Sequence, residues 1–334
     1  MKITTILTIF LLAFCCATTA HGVTFDWVTV GNPGNAGDTK VMGDGTSGHG
    51  SVSYTYRISK YEVTTSQYVE FLNAVAASDL KGLYRPSMSS DIFGCKIEQT
   101  GSDGSYSYSV AADRAKRPVN FVSFFDAMRF VNWLENGQPT GAQGPGTTED
   151  GVYTISDGVS EVRNPNATYF IPSEDEWYKA AYHKNDGVTG NYWDYPTQSD
   201  WPNKPSNDLI DPDPGNNANF YEYYDNSYTI GGPYWMTEVG EFENSESPYG
   251  TYDQGGNVWE WNEAIMGGMF RGMRGGSFRY SSVSTYLDAS NRIHYNPRFE
   301  INSFGFRVAR SIPEPASFIL LACMAIPVMI LRRG

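Results

Sequence analysis

Cysteine and histidine are scarce in this sequence, which contains four of each among 334 residues. Cys15 and Cys16 lie near the beginning and Cys323 near the end, so Cys95 is the only cysteine in the long middle part of the chain. An intramolecular disulfide is therefore excluded there. The histidines are far apart, and neither a Cys-x-x-Cys nor a His-x-x-x-His spacing occurs. These absences argue against a transition-metal site.

An excess of positive charge is also missing. The chain has 24 Lys and Arg residues against 37 Asp and Glu residues, a net charge of -13. Nucleic acid is not expected as a partner, because contacts to phosphates require a basic surface. The negative charge is dispersed and 15% of the residues are aromatic. This composition is typical of a compact globule and not of a disordered acidic tail.

Long apolar runs are missing from the middle of the chain and occur only at its two ends. At the first end, Lys2 precedes apolar residues 3–14 and small residues 17–20. This order predicts a signal peptide over residues 1–22. A lipoprotein anchored at Cys15 and a permanent membrane helix are the alternatives. Bulky Phe14 disfavours the first, and the short run disfavours the second.

At the other end, residues 312–334 contain Pro313-Glu314-Pro315, an apolar stretch over 316–331 and a terminal arginine pair. The apolar stretch is at the short end of what spans a bilayer, and the arginines would stay on the cytoplasmic side. The three features together resemble a PEP-CTERM sorting signal. That resemblance implies transient anchoring in the inner membrane of a Gram-negative cell and recognition by an exosortase. A plain tail anchor is the alternative, and either one predicts an exported domain at the cell surface or outside the cell.

Residues 23–311 form one predicted domain, without an internal repeat or a linker. Residues 51–58 alternate as in a strand. Three helices are predicted from capping residues, after Thr64 or Thr65, after Ser123 and after Ser173. Early helices, short strands and long Gly/Asn/Pro-rich loops indicate an α+β architecture.

Six segments match, in order, the motifs of one family. They are YEVTTSQYVEF (61–71), RPVNFVSFFDA (117–127), IPSEDEW (171–177), GNVWEW (256–261), RGGSF (274–278) and GFR (305–307). Over about residues 26–310 the chain resembles the formylglycine-generating-enzyme, or sulfatase-modifying-factor, domain. The resemblance implies a C-type-lectin-like core with little regular secondary structure and long loops.

The resemblance also implies structural calcium. It places a site on the side chains of Asp253 and Glu260 and the carbonyls of Gly256 and Val258. Hard oxygen ligands around a Gly-Gly-Asn turn suit calcium.

A second calcium site would use the Asn219 side chain and the Phe220 carbonyl, with Asp225 as a candidate third ligand. The alternative for Glu260 is a role in capping or pairing neighbouring groups.

The family enzyme oxidises a substrate cysteine with molecular oxygen and a copper ion held by two cysteines. The matching positions in this chain fall near Ser284 (or Thr285) and Ala289, and none of them is cysteine. Cu(I) requires soft thiolate ligands, so copper is not expected and no catalytic residue is assigned.

Other catalytic sets are weaker interpretations. Ser284, Asp288 and His294 lack the strand–turn–helix frame of a hydrolase nucleophile. Glu174 and Glu176 could pose as an acid/base pair, but capping accounts for Glu176 and solvation for Glu174.

The sequence thus favours a non-catalytic binding or scaffold module at the cell surface. Its aromatic loops at 192–193, 201 and 221–228 suggest a glycan, an exopolysaccharide or a surface protein as the ligand, although ordinary packing is the alternative for these rings. A second hypothesis is an oxidoreductase of the sulfatase-modifying-factor type that acts on a protein cysteine or a thiol. A third is a partner that positions substrates for another enzyme.

Overall fold

The computed structural model describes residues 22–279 and 283–312, and only the backbone of Val283 and Ser284. The predicted signal peptide and sorting segment lie outside the described residues, apart from Gly22 and Ile312. Within the described part, no helix is long and apolar enough to cross a membrane.

Six short helices are described. They are α1 (Thr65–Val75), α2 (Ser87–Ser90), α3 (Ala112–Ala115), α4 (Phe124–Glu135), α5 (Glu174–Tyr182) and α6 (Val283–Tyr286). The three predicted helices correspond to α1, α4 and α5. Thr64, Ser123 and Ser173 are their N-caps, and each closes a capping box with the residue three positions later. The capping predictions are confirmed because these hydrogen bonds depend only on neighbouring residues.

The strands are equally short. They are β1 (Trp27–Val30), β2 (Tyr56–Ser59), β3 (Glu98–Thr100), β4 (Ser107–Ser109), β5 (Tyr169–Phe170), β6 (Tyr221–Glu222), β7 (Ser227–Tyr228), β8 (Trp259–Met266), β9 (Phe270–Arg274), β10 (Ile293–Tyr295), β11 (Phe304–Gly305) and β12 (Ala309–Ser311). One four-stranded sheet has the order β1-β2-β12-β5 and another has the order β10-β9-β8-β11. The strand pairs β3-β4 and β6-β7 stand apart as two-stranded sheets. The α+β prediction with long loops is confirmed.

The predicted strand over residues 51–58 is mostly wrong, because only its end belongs to β2. The Asn35 side chain binds the preceding segment by donating to the Gly50 carbonyl and accepting from the Val52 amide. These bonds occupy backbone groups that a strand partner would otherwise use. Tyr56 and Ile58 are buried as the alternation predicts, whereas Tyr54 is about half exposed.

The core joins the helices to both sheets. Phe71 of α1 packs against Phe130 and Trp133 of α4, with ring centroids 5.3 and 5.2 Å apart. Phe306 from the last motif meets Phe130 edge to face at 5.3 Å. Trp261 of β8 is fully buried and donates from its indole nitrogen to the Val122 carbonyl. Motifs distant in sequence therefore share one core, which positions the segment between β9 and β11.

Candidate functional site

Three of the motifs meet in the second sheet. Glu260 on β8 faces Arg274 on β9 in an antiparallel pair, and Phe304 on β11 lies beside Trp259 in a parallel pair. Gly275 and Gly276 then turn the chain with positive φ angles of 102° and 80°. A Cβ atom on Gly275 would lie 2.8 Å from the Gln254 carbonyl oxygen, so the turn requires glycine. After this turn the chain enters the segment where the family's cysteines are expected.

The Ala289 position lies in a filled core. Ala289 is fully buried in a cluster with Trp177, Tyr178 and Tyr182. Arg274 Nη1 donates to the Ala289 and Asn291 carbonyl oxygens, both at 2.9 Å. The Ser284 side chain is outside the described part, and Thr285 is exposed. A cysteine pair at these positions would have one member in packed interior.

Glu174 is buried, which corrects the expectation of a solvated side chain. Its Oε1 accepts from Arg274 Nε at 2.8 Å, and its Oε2 accepts from Arg292 Nη2. Glu176 forms the capping box and also receives both terminal nitrogens of Arg163 at 3.0 and 2.9 Å. The sequence missed these pairs because each partner arginine lies outside the α5 segment.

A cleft of about 350 Å³ opens next to this core. It is lined by Trp259, Tyr286, Arg292, Ile293, His294, Tyr295 and Phe304. Trp259 meets Tyr286 edge to face at 5.7 Å, and Tyr295 meets Phe304 at 4.9 Å. Trp259 is nearly buried, whereas His294 is exposed. Aromatic walls with a few polar groups are typical of ligand sites.

Arg292 supplies the distinctive polar group of the cleft. Its Nη1 donates to Asp44 Oδ2 at 2.7 Å, its Nη2 binds Glu174, and its side chain is only 9% exposed. Among the described residues, its Nε–H has no acceptor. Asp44 and Glu174 balance the guanidinium charge, and the Nε–H itself is buried, so Arg292 does not make the cleft a strong anion-binding site. Asp288, which the sequence grouped with His294, pairs with Lys40 at 2.9 Å instead.

The residues of the two predicted calcium sites lie next to each other. A parallel bridge pairs Asn219 with Gly256, and the Asn219 carbonyl accepts the Asn257 amide at 2.8 Å. The Phe220 carbonyl accepts from the Thr229 hydroxyl at 3.1 Å. Asp225 is exposed at the turn between β6 and β7. The sequence had placed these residues in separate sites.

Glu260 does not fit a calcium ligand in this arrangement. Its carboxylate receives Arg307 Nε at 2.5 Å, Arg307 Nη2 at 2.7 Å and Trp177 Nε1 at 2.7 Å. A guanidinium this close repels a cation and occupies the oxygens that calcium would need. Asp253 fits better, because only the Gly240 amide, at 2.7 Å, is seen donating to its carboxylate. Calcium at these residues stays a prediction.

Glu62 belongs to the same buried group, and the sequence did not assign it to a site. It is buried, its Oε1 has no hydrogen-bond partner among the described residues, and Asn257 donates to its Oε2 at 3.4 Å. Burial, followed by the charge of Asp253, raises the pKa of the Glu62 carboxyl well above its ordinary value. Burial likewise raises the pKa of Asp253 to about 7. The only feature of the sequence that could have pointed to Glu62 was its position in the first family motif.

The match to known proteins settles the family. The model of the sulfatase-modifying factor enzyme 1-like domain matches residues 30–312. The chain belongs to this family. The crystal structure of CarF aligns with a TM-score of 0.51 and 21% identity, covering 86% of this chain and 99% of CarF. Treponema denticola variable protein 1 aligns with a TM-score of 0.53 and 19% identity, covering 88% of this chain and 98% of its own. A search of curated proteins gives no match.

At these identities the two structures indicate a shared fold and nothing more. This sulfatase-modifying-factor domain has one cysteine in its described part, Cys95, which is buried. Burial raises the pKa of the Cys95 thiol to about 11, so it stays a thiol at neutral pH. No group of three or more His, Cys, Asp or Glu side chains suited to a metal ion is found among residues 22–279 and 283–312.

The aromatic loops of the domain divide into packed and exposed rings. Tyr192 lies against Tyr178, with ring centroids 5.5 Å apart, and Trp193 lies under Lys184 at 3.7 Å. Ordinary packing therefore accounts for residues 192–193. Trp201, Tyr223 and Tyr224 are 63%, 65% and 81% exposed, which leaves them as an alternative ligand surface.

Proposed function

We propose that this chain is an exported sulfatase-modifying-factor domain that binds a ligand in the cleft beside Trp259 and does not oxidise cysteine. The proposal rests on a contrast between two nearby residues, Ala289 and Arg292. Ala289 lies in packed interior, while Arg292 a few residues later lines an aromatic cleft. A fold that keeps its cleft without a thiol pair can recognise a ligand but has no means to hold Cu(I).

The chemistry of the cleft favours a glycan. The half-buried rings of Tyr286 and Tyr295 offer apolar surfaces for sugar C–H groups, and the exposed His294 offers a ring nitrogen to a sugar hydroxyl. A ligand of this kind suits a protein with the end segments described above, which are proposed to direct export and sorting by an exosortase. We infer an exopolysaccharide or other surface glycan as the ligand, with the C-terminal segment as a transient membrane anchor.

Binding of the full-length chain to a glycan array tests the proposal. The Tyr286→Ala and His294→Ala variants should bind the retained glycans about tenfold more weakly, because each removes a cleft wall. The Tyr224→Ala variant is the control, since Tyr224 is highly exposed and lies outside the cleft lining. If no glycan is retained, or if only Tyr224→Ala lowers binding, the cleft proposal fails.

The oxidoreductase hypothesis has its own test. The purified chain is incubated with copper, a reductant, oxygen and a Cys-x-Pro-x-Arg peptide, and the peptide mass is then measured. We expect no aldehyde, because Cys95 is a buried thiol and cannot form a two-cysteine site alone. Aldehyde formation above a protein-free control would overturn the non-catalytic assignment.

A further inference from the structure

A second cavity, of about 610 Å³, shares no lining residue with the cleft. It lies where the described chain ends, and Ser311 and Ile312 form part of its wall. Its apolar lining consists of Val162, Pro165, Ala167, Phe170, Ile265 and Ile312. A volume of this size is typical of small-ligand sites and accommodates a short peptide.

An arginine held between two carboxylates forms one wall. Arg163 Nη2 donates to Glu176 Oε2 at 2.9 Å and to Glu263 Oε2 at 2.5 Å. The guanidinium also stacks on Phe170, 3.8 Å from the ring centroid. Tyr153 donates to Glu263 Oε1 at 2.5 Å. With Glu161 and Arg271, which also line the cavity, this group has three carboxyls and two guanidiniums, so it carries one net negative charge when all three carboxyls are ionised.

Glu161 is a second acidic residue of the cavity wall, and the hydrogen bonding of its carboxylate is incomplete. This residue lines the cavity and is 6% exposed. Its Oε1 accepts the Ser156 and Gly158 amides at 2.6 and 2.9 Å. Its Oε2 has no hydrogen-bond partner among the described residues and lies 3.9 Å from Arg271 Nη2. Arg271 itself donates to the Gly158 and Glu161 carbonyl oxygens, so it leaves this carboxylate oxygen without a donor.

We propose that this cavity binds the side chain of a lysine from a peptide or protein partner. The apolar wall would contact the aliphatic stem, and Glu263, whose side chain is 16% exposed, would receive the ammonium group, while the enclosed Glu161 would contribute negative charge without direct contact.

Lysine fits better than arginine at this wall. Both oxygens of Glu263 already accept from Arg163 or Tyr153, so no free fork remains for a bidentate guanidinium. A compact ammonium requires only the one lone pair that remains on Glu263 Oε2, because Oε1 already accepts two hydrogen bonds. Residues 313–334, which follow the cavity wall in the sequence, contain no lysine, so they do not supply the occupant.

Calorimetric titration of the full-length chain with capped tripeptides tests this inference. Acetyl-Gly-Lys-Gly-amide should bind about tenfold more tightly than the norleucine peptide, which has a comparable aliphatic stem but no ammonium. The arginine peptide should bind more weakly than the lysine peptide, and the glutamate peptide should not bind. Equal affinities for lysine and norleucine would overturn the charge argument.

Substitutions of Ile265, at the mouth of the cavity, test whether the lysine peptide binds there. Ile265 is 50% exposed, so Ile265→Arg places a positive charge at the mouth without disturbing the buried ion pairs. This variant should lose lysine-peptide binding, whereas the uncharged Ile265→Gln should retain it within about threefold. If Ile265→Arg binds as the original chain does, the cavity is not the site. If pentane-1,5-diamine binds as tightly as the peptide, a peptide partner is excluded.

Discussion

Two ionic clusters of this domain, one reaching the surface at Asp44 and one buried, contrast in their charge balance. In the first, which we call the arginine-balanced cluster, Arg274 and Arg292 bind Glu174, and Arg292 also binds Asp44. Two positive charges face two negative charges, and Arg274 also holds the segment around Ala289 through its carbonyl oxygens.

The second, the carboxylate-rich cluster, contains Glu62, Asp253 and Glu260 with a single arginine, Arg307. Arg307 binds Glu260 directly, and the other two carboxyls keep raised pKa values. Negative charge is therefore in excess in this cluster when its carboxyls are ionised, whereas the charges of the arginine-balanced cluster cancel. The difference separates a part of the motif set whose charges are paired from a part whose carboxyls respond to pH.

The largest effect is expected from breaking the arginine-balanced cluster. Arg274→Met should destabilise the protein by about 3–5 kcal/mol, because it leaves Glu174 with one partner and buried carbonyl oxygens without donors. Urea denaturation measures this loss. Arg85→Met is the matched control, since the Arg85–Glu300 pair at 2.6 Å is half exposed on the arginine side. It should cost less than about 1 kcal/mol, and equal losses for the two variants would contradict the comparison.

A smaller, pH-dependent effect is expected in the carboxylate-rich cluster. Burial raises the pKa of Asp253 from 3.8 to about 7, so the folded state binds the extra proton between these values. Stability therefore falls as pH rises through this window, and the cost is complete above pH 7. Asp253→Asn should be more stable than the original chain at pH 8 by up to about 4 kcal/mol, and this advantage should vanish near pH 4.

Denaturation in the presence of EDTA at both pH values measures the Asp253 effect without interference from calcium. Asn retains an acceptor for the Gly240 amide and tolerates the φ of 60° at this position. Asp103→Asn, on an exposed loop, is the control and should change stability by less than about 0.5 kcal/mol at either pH. A stability difference for Asp253→Asn that does not depend on pH would contradict the raised pKa.

The smallest effect concerns the predicted calcium. If the cation completes the carboxylate-rich cluster, millimolar calcium should raise the Tm at pH 8 by ~2 °C relative to EDTA. The rise should be smaller at pH 5, because protons compete for the carboxyls, and absent in Asp253→Asn. Asp103→Asn serves as the control, since Asp103 is exposed and belongs to neither predicted calcium site. An unchanged Tm in calcium would remove the calcium prediction and leave protons to complete the cluster.

Local signals in the sequence located much of the framework. The three capping boxes fixed where α1, α4 and α5 begin, because an N-cap and its N3 residue interact across a single turn. The spacing of the six motifs indicated the family before any contact was known. The strand over residues 51–58 was overpredicted, since its alternation did not reveal the Asn35 side chain that binds the segment.

The candidate site was only half predictable. The absence of cysteine near Ser284 and Ala289 is visible in the sequence, and so is the presence of aromatic residues around them. The cleft itself requires β10 to pair with β9, which sets His294 opposite Gly272. The lysine-binding cavity likewise depends on Arg163 meeting Glu263, 100 residues away in the chain.

By itself, the sequence determined the helix starts, the family motifs and the lack of a thiol pair, because these depend on residue identity and on neighbours within a few positions. Only the tertiary structure decided which charges are balanced. Glu174 was expected in solvent, but it is buried and binds two arginines. Glu260 was expected to bind calcium, and its carboxylate accepts hydrogen bonds from Arg307. Partners 47 to 118 residues apart meet only when the chain closes around a common core, and no local pattern encodes that meeting.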